Sequence, residues 1–254
     1  MRYYNFILLY LFCNIFIYAF QGSFWVYVFC FLMFSASVVW GSFDIGLGYF
    51  VNSTTHKRTK SKEIALTFDD GPTECTPEFL DLLKEHDIKA TFFCIGKQIE
   101  KYPETFRRII EEGHTVGNHT LSHAANTGFL SASKMIMEIE KCDDIMLKTG
   151  NITTGLYRPP FGVTNPNIAL AIEKTGKKSI GWNVRSLDTI TEDEKKIYRK
   201  ITKGLHKGSI ILLHDTSEKT YRVLTNLLVF LKNEKYSTFT VDEIVFPDTV
   251  QRLK

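Results

Sequence analysis

Two long apolar segments without charged side chains open the chain, from Tyr3 to Phe20 and from Phe24 to Trp40. Each is close to the length of about twenty residues that a helix needs to cross a bilayer. Residues 21–23 lie between them and form a turn-prone break. The pattern predicts two transmembrane helices in a hairpin, at about 3–21 and 24–41. A signal peptide cleaved near residues 35–37 is the alternative, but the apolar stretch is longer than a signal peptide requires.

From residue 63 onward, short apolar segments alternate with longer amphipathic ones. The short segments indicate strands that are apolar on both faces, and the longer ones indicate helices. This alternation predicts a parallel sheet covered by helices, either a barrel or an open sheet. The predicted strands are 63–68, 90–95, 114–118, 156–158, 179–182, 209–213 and 238–241. The predicted helices begin at Thr76, Pro103, Ser131, Asn165, Thr191 and Tyr221.

Charge is concentrated after the apolar segments, since Arg2 and Asp44 are the only charged side chains among residues 1–50. The net charge of +3 is too small to indicate nucleic-acid binding. The basic cluster at residues 57–62 is consistent with a solvated linker or with contact to anionic lipid. It lies at the edge of the range of the positive-inside rule, which would place both ends of the hairpin in the cytoplasm without fixing that orientation. The cysteines form no C-x-x-C pair, and no disulfide framework is predicted.

Two polar motifs follow predicted strands: TFDDG at residues 67–71 and HTLSH at residues 119–123. Histidines four residues apart would lie on one face of a helical turn, so that His119 and His123 converge. One aspartate with two imidazoles makes a three-ligand metal site with open positions for water, as in hydrolytic metal sites. The other aspartate of the pair Asp69 and Asp70 is then a candidate base.

Three further polar residues, Arg158, Asp188 and His214, also stand at the C-terminal ends of predicted strands or just beyond them. In a parallel barrel these ends share one rim, and active sites lie there. We therefore expect these side chains to meet the aspartate pair and the two histidines in one cavity.

With these segments, the chain resembles the NodB-homology polysaccharide deacetylases of carbohydrate esterase family four over residues 62–245. The family motifs TFDDG, H-[ST]-x-x-H, R-x-P-[FY] and L-x-H match residues 67–71, 119–123, 158–161 and 212–214 in the same order. The resemblance implies an α/β fold, a distorted and incomplete (β/α) barrel preceded by the helical hairpin. It divides the chain into two transmembrane helices at 1–43, a linker at 44–61 and a deacetylase domain at 62–254.

The resemblance also implies a metal centre and its base. Asp70, His119 and His123 would hold a divalent cation, with Zn²⁺ expected and Co²⁺, Mn²⁺ or Ni²⁺ as alternatives. Asp69 would take a proton from metal-bound water as that water attacks the acetyl carbonyl. Arg158 would bond Asp69, keeping it ionised and aimed.

The remaining matched residues would act on the substrate. His214 would protonate the leaving amine, because an amine anion is too basic to leave unaided. The backbone N–H of Phe161 would bind the oxyanion together with the metal, and Leu212 would line the pocket for the acetyl methyl.

The fourth family motif, D-x-x-D-W, differs here, because residues 185–189 read R-S-L-D-T. In relatives the first aspartate bonds the catalytic histidine, and Arg185 cannot hold an imidazolium by charge attraction. Asp188 or Asp215 would then tether His214 in its place. Arg185 would contact an anionic group of the substrate or pair with Asp188.

The function implied is a membrane-anchored hydrolase that removes acetyl groups from N-acetylated sugars of a polysaccharide or a lipid-linked glycan. One alternative is a catalytically silent protein that binds glycan or assists membrane assembly, and another is an O-acetyl esterase with the same machinery. The expected partners are an acetylated glycan and the inner or plasma membrane. No nucleic-acid partner is expected, and the sequence indicates no oligomeric state.

Overall fold

The computed structural model describes residues 2–19 and 21–247, and its first two elements are apolar helices. Helix α1 (Arg2–Ala19) packs against helix α2 (Phe24–Phe43), and the rings of Tyr10 and Phe34 stack between them at 4.6 Å. Within the described residues, α2 is the one helix that is long and apolar enough to cross a membrane. The uncharged part of α1, Tyr3–Ala19, is shorter. The two predicted helices are therefore present, and one of them has the length and composition of a membrane span.

The described strands are all parallel and form one curled, open sheet. Their order is β5-β4-β3-β2-β1-β7-β6, and β8 pairs with the beginning of β1. Because β5 and β6 end the sheet without meeting, the prediction of an incomplete (β/α) barrel is confirmed. The strands are β1 (Glu63–Asp69), β2 (Thr91–Cys94), β3 (Thr115–Asn118), β4 (Leu156–Tyr157), β5 (Lys178–Ser179), β6 (Val184–Arg185), β7 (Ile210–His214) and β8 (Ser237–Thr238). The predicted strand 179–182 is wrong in its bounds, since Trp182 lies between β5 and β6.

Helices pack around this sheet and contribute apolar side chains to its core clusters. They are α3 (Thr76–Glu85), α4 (Gly96–Lys101), α5 (Pro103–Glu111), α6 (Ala132–Gly150), α7 (Pro166–Lys174), α8 (Glu194–Gly204), α9 (Glu218–Asn233) and α10 (Asp242–Val245). Asn165 caps α7 as predicted, because its side chain accepts the N–H of Ile168. The cap of α8 is Asp193 rather than Thr191. Thr76 is the first residue of α3 rather than its cap, which is Cys75, and the Thr76 hydroxyl donates to Asp215.

The segment between α2 and β1 packs along the sheet and carries buried aromatic side chains. Tyr49 and Phe50 are buried in an apolar cluster with residues of α6 and α7. Thr54 pairs with Ile180 beyond the end of β5. The backbone N–H of Thr164 donates to the carbonyl oxygen of Ser42 at 2.9 Å. These contacts hold the end of α2 close to the loop that precedes α7.

Candidate metal centre and active site

The sheet register brings the candidate residues to one rim. Asp69 ends β1 and pairs in register with His214, which ends β7. His119 directly follows β3, and Arg158 directly follows β4. Because parallel strands carry their C-terminal ends to the same edge, residues far apart in the chain meet there.

Asp70, His119 and His123 converge on one point. The Oδ1 atom of Asp70 lies 3.5 Å from the Nε2 atom of His119 and 3.4 Å from that of His123. This buried carboxylate oxygen has no hydrogen-bond partner within the described structure. A buried, unpaired carboxylate oxygen facing two imidazole nitrogens is the donor set of a divalent transition metal. The three residues therefore fit a metal ion.

The two histidines converge by a route that the sequence pattern did not indicate. The expectation of a helical turn at 119–123 is wrong, since these residues form a loop. Thr120 and His123 have positive φ angles of 70° and 48°. These left-handed residues reverse the backbone, so that the two rings lie 4.8 Å apart. The two histidine rings therefore converge because of this tight turn and not because they share one face of a helix.

Neighbouring groups set the orientation and protonation of these side chains. The Nδ1 atom of His119 lies 2.7 Å from the carbonyl oxygen of Arg158, so that this nitrogen carries the proton and Nε2 keeps its lone pair. Burial lowers the pKa of His123, which keeps its ring neutral near pH 7. Burial alone would raise the pKa of Asp70, but the nearby imidazoles outweigh it and hold that pKa below its usual range.

Asp69 is held by a buried guanidinium. The Nη1 atom of Arg158 donates to Asp69 Oδ1 at 2.6 Å and to Thr67 Oγ1 at 2.8 Å. The remaining nitrogens of Arg158 donate to the carbonyl oxygens of Ile180 and Gly181. Arg158 is fully buried, so its charge acts on Asp69 with little screening. Asp69 is thereby fixed in place, and its Oδ2 atom faces the Nε2 atom of His119 at 3.7 Å.

His214 is tethered by Asp188. The Nδ1 atom of His214 lies 2.8 Å from Asp188 Oδ1, and its backbone N–H donates to Oδ2 of the same carboxylate at 2.9 Å. Ser186 and Thr220 also donate to this buried carboxylate. Burial would lower the pKa of His214, but the bond and charge of Asp188 raise it to about 9. Its Nε2 atom lies 3.9 Å from Asp70 Oδ2, on the cavity side.

Asp215 lies away from the imidazole of His214 and turns into the interior of the domain. Its Oδ2 atom accepts the hydroxyl of Thr76, and its Oδ1 atom has no partner within the described structure. Burial raises the pKa of Asp215 to about 7. A Cβ atom on Gly71 would stand 2.6 Å from this carboxylate, so the absence of a side chain at Gly71 allows the backbone to lie next to Asp215. Of the two aspartates considered for the tether, Asp188 makes the contact.

A cavity of about 200 Å³ opens between these groups. Phe161 has a φ of 59° and forms one wall, with its ring 4.6 Å from that of His123. Leu212 is buried at the floor. Arg185 is exposed at the rim, with its guanidinium carbon 5.7 Å from the centre of the Trp182 ring. Within the described structure it makes no ion pair with Asp188.

Several residues that shape the site were given no role from the sequence alone. Thr67 and Thr220 bond Arg158 and Asp188, but only the fold brings them there. Trp182 borders the cavity, although its place at the end of the predicted strand 179–182 favours packing in the core. A Cβ atom on Gly162 would lie 2.5 Å from the Trp182 ring, so the glycine allows this tryptophan to approach. The Gly162 φ of 70° also favours glycine and could have been suspected from the sequence P-P-F-G.

Comparison with known proteins identifies the family of the chain. The family model described as polysaccharide deacetylase matches residues 56–180. The peptidoglycan-N-acetylmuramic acid deacetylase PdaA of Bacillus subtilis is 31% identical over 74% of this chain and 73% of its own length. The chain belongs to the polysaccharide deacetylase family. Within this family, the peptidoglycan-N-acetylglucosamine deacetylase PgdA of Listeria monocytogenes is 36% identical over 74% of this chain, which spans only 40% of PgdA.

A solved structure of the family has the same fold. The Bc1960 peptidoglycan N-acetylglucosamine deacetylase superposes with a TM-score of 0.71 at 30% identity. The alignment covers 76% of this chain and 92% of that structure. The NodB-type fold expected from the sequence motifs is therefore confirmed.

Proposed function

We propose that this polysaccharide deacetylase family member is a metal-dependent hydrolase that removes acetyl groups from N-acetylated sugars. The observation that carries the proposal is the convergence of Asp70, His119 and His123 around an unpaired buried carboxylate oxygen. A second aspartate, Asp69, stands beside them, and a tethered histidine faces them across the cavity. These are the parts that amide hydrolysis needs: a cation site, a base and an acid.

Asp70, His119 and His123 would hold one divalent cation, and zinc suits a donor set of two imidazoles and one carboxylate. Co²⁺, Mn²⁺ and Ni²⁺ accept the same ligands. When bound, such a cation polarises the acetyl carbonyl and lowers the pKa of a water molecule toward neutrality. Because these three residues offer only three ligands, further coordination positions of the cation would stay open for water or substrate.

Asp69 is the proposed general base. Its carboxylate accepts a bond from Arg158 through one oxygen, which leaves the other oxygen facing His119 and the cavity. This bond holds the carboxylate in one orientation, which a base needs in order to reach the proton that it accepts. The four bonds that Arg158 donates fix the direction of Asp69 before substrate arrives.

His214 is the proposed general acid. Because Asp188 raises its pKa to about 9, the ring is protonated at neutral pH and can give its Nε2 proton to the leaving nitrogen. The tether through Nδ1 keeps Nε2 turned to the cavity. We assign the N–H of Phe161 to the oxyanion and the buried side chain of Leu212 to the acetyl methyl, since both residues line this cavity.

The names of the relatives indicate which substrates to test first. PgdA and PdaA are named for N-acetylglucosamine and N-acetylmuramic acid of peptidoglycan, so acetylated amino sugars are the first substrates to test. Helix α2 has the composition of a membrane span, and we propose that it anchors the domain at 62–254 to the inner or plasma membrane.

Acetate release from N-acetylated oligosaccharides tests the function directly. We expect release by the zinc-loaded full chain, loss of at least a hundredfold in Asp69→Asn, and no loss in the exposed control Asp81→Asn. O-acetylated sugars should be tested in parallel, because an esterase would cleave only those. A chain that binds zinc but releases no acetate from either class would instead be a silent glycan-binding protein.

A further inference from the structure

An apolar groove lies between the end of helix α2 and the rim of the catalytic cavity. It encloses about 580 Å³ and is lined by Val39 and Phe43 from α2, and by Phe129, Phe161 and Val163 from the rim loops. This volume is within the range of about 300–1,000 Å³ that holds a drug-sized ligand. Two of its aromatic side chains are largely exposed, since Phe129 is 91% exposed and Phe43 is 70% exposed.

The groove and the catalytic cavity share a wall. Phe161 borders both, and its ring also lies 4.6 Å from the ring of His123 in the metal centre. The Thr164 N–H bond to Ser42 ties α2 to the loop beside Phe161. The Phe161 side chain would therefore stand between a molecule in the groove and the metal centre.

The other end of the groove belongs to the helix that is apolar enough to cross a membrane. If α2 spans the bilayer, then Phe43 lies where the span leaves the hydrocarbon, and the groove begins at the membrane surface. An exposed phenylalanine at this level costs little, because it faces lipid chains rather than water. A polysaccharide in water has no long hydrocarbon chain to lie along such a surface.

We propose that the substrate is a lipid-linked saccharide whose hydrocarbon chain lies in this groove while its acetylated sugar enters the catalytic cavity. The proposal rests on the proposed deacetylase function and narrows its substrate from acetylated glycans in general to those attached to a lipid. Because Phe161 borders both the groove and the cavity, the acetylated sugar would reach the metal centre only if it lies close to its attachment to the lipid.

A series of alkyl glycosides of N-acetylglucosamine, from methyl to decyl, tests the proposal with the zinc-loaded full chain in detergent. Each buried methylene contributes at most about 0.8 kcal/mol, so KM should fall by up to about fourfold per methylene. The value of kcat should stay constant, because the chain binds equally in ground and transition states. A KM that does not change with chain length would overturn the proposal.

A variant separates the groove from simple partition of the substrate into detergent micelles. Phe129→Ser should reduce the ratio of methyl to decyl KM by at least tenfold, since the phenylalanine contributes a large apolar surface to the groove. The matched control is Leu147→Ser, an exposed apolar residue of α6. It should leave the ratio unchanged, whereas partition into micelles would preserve the ratio in both variants and would overturn the proposal.

Two other occupants of the groove give different results. A second copy of the chain would make Phe129→Ser lower the oligomer mass without changing the KM ratio. Bilayer lipid alone would make it weaken vesicle binding, again without changing the ratio. Either result overturns the proposal but leaves deacetylation of the methyl glycoside intact. Absence of acetate from all N-acetylated glycosides would instead contradict the proposed function itself.

Discussion

Replacing Asp188 with asparagine should convert His214 from a protonated group into a neutral one at neutral pH. The carboxylate of Asp188 bonds the imidazole at 2.8 Å and raises the pKa of His214 to about 9. Asparagine keeps a similar shape but removes the charge. Burial lowers the pKa of His214, and the charges of Asp69 and Asp70 raise it, so we expect this pKa in Asp188→Asn to fall toward its ordinary value of about 6.5.

The size of the effect depends on pH. At pH 8 a group with a pKa of about 9 is about 90% protonated, and one with a pKa of 6.5 is about 3% protonated, which is a difference of about 30-fold. At pH 6 the same comparison gives a difference of only about 1.3-fold. If His214 acts as the acid, kcat/KM of Asp188→Asn should fall much more at pH 8 than at pH 6, because the alkaline limb moves to lower pH.

Two assays measure this change. A ¹⁵N NMR titration of the His214 ring in the metal-free protein gives its pKa without the charge of a bound cation. The pH profile of acetate release then gives the catalytic limb in the zinc-loaded protein. The control Asp81→Asn removes an exposed carboxylate that pairs with Arg108 and should alter neither. A His214 pKa that stays near 9, or an equal loss of kcat/KM at pH 6 and pH 8, would refute the reasoning.

Three further changes have expected results. Arg158→Met should lower the free energy of unfolding by about 3–5 kcal/mol in urea titrations, because it leaves the buried carboxylate of Asp69 unpaired, and a smaller loss would argue against that ion pair. Arg185→Gln should change the free energy of unfolding by less than about 0.5 kcal/mol and leave the alkaline limb in place, since Asp188 rather than Arg185 holds the acid. Gly162→Ala should lower kcat/KM at least tenfold by displacing Trp182 from the cavity, with a crystal structure as the check on that displacement.

The sequence predicted the fold class and the location of the site because both depend on local patterns. Apolar strands with polar residues at their C-terminal ends indicate a parallel sheet with an active rim. Asp69, Asp70 and His119 stand directly at those ends, so their meeting followed from the topology. The fold class is confirmed, and the roles of these residues stay predictions.

The tether of His214 required long-range information. Asp188 reaches the imidazole because β6 pairs with β7 in a register that sets Arg185 opposite Leu212. No local pattern encodes this register, so the sequence left Asp188 and Asp215 as equal alternatives. Only the fold shows that Asp215 turns to Thr76 in the interior.

The geometry of the two histidines and the contacts of α2 were also beyond the sequence pattern. The left-handed conformation of Thr120 is unusual for a β-branched residue, and no glycine or asparagine marks it. The residues at 44–61 were predicted to form a linker. Their buried Tyr49 and Phe50 pack against α6 and α7. The sequence alone does not reveal these contacts, because apolar residues next to a predicted span can equally belong to the membrane segment.

Zinc-edge X-ray absorption on the zinc-loaded full chain tests the central claim most directly, because it reports the ligands of the ion itself. We predict one zinc per chain with two imidazole nitrogens and at least one carboxylate oxygen at about 2.0–2.2 Å, and the loss of one imidazole in His123→Ala. Sulfur scattering at about 2.3 Å, or a wild-type spectrum that His123→Ala leaves unchanged, would contradict a metal centre at Asp70, His119 and His123.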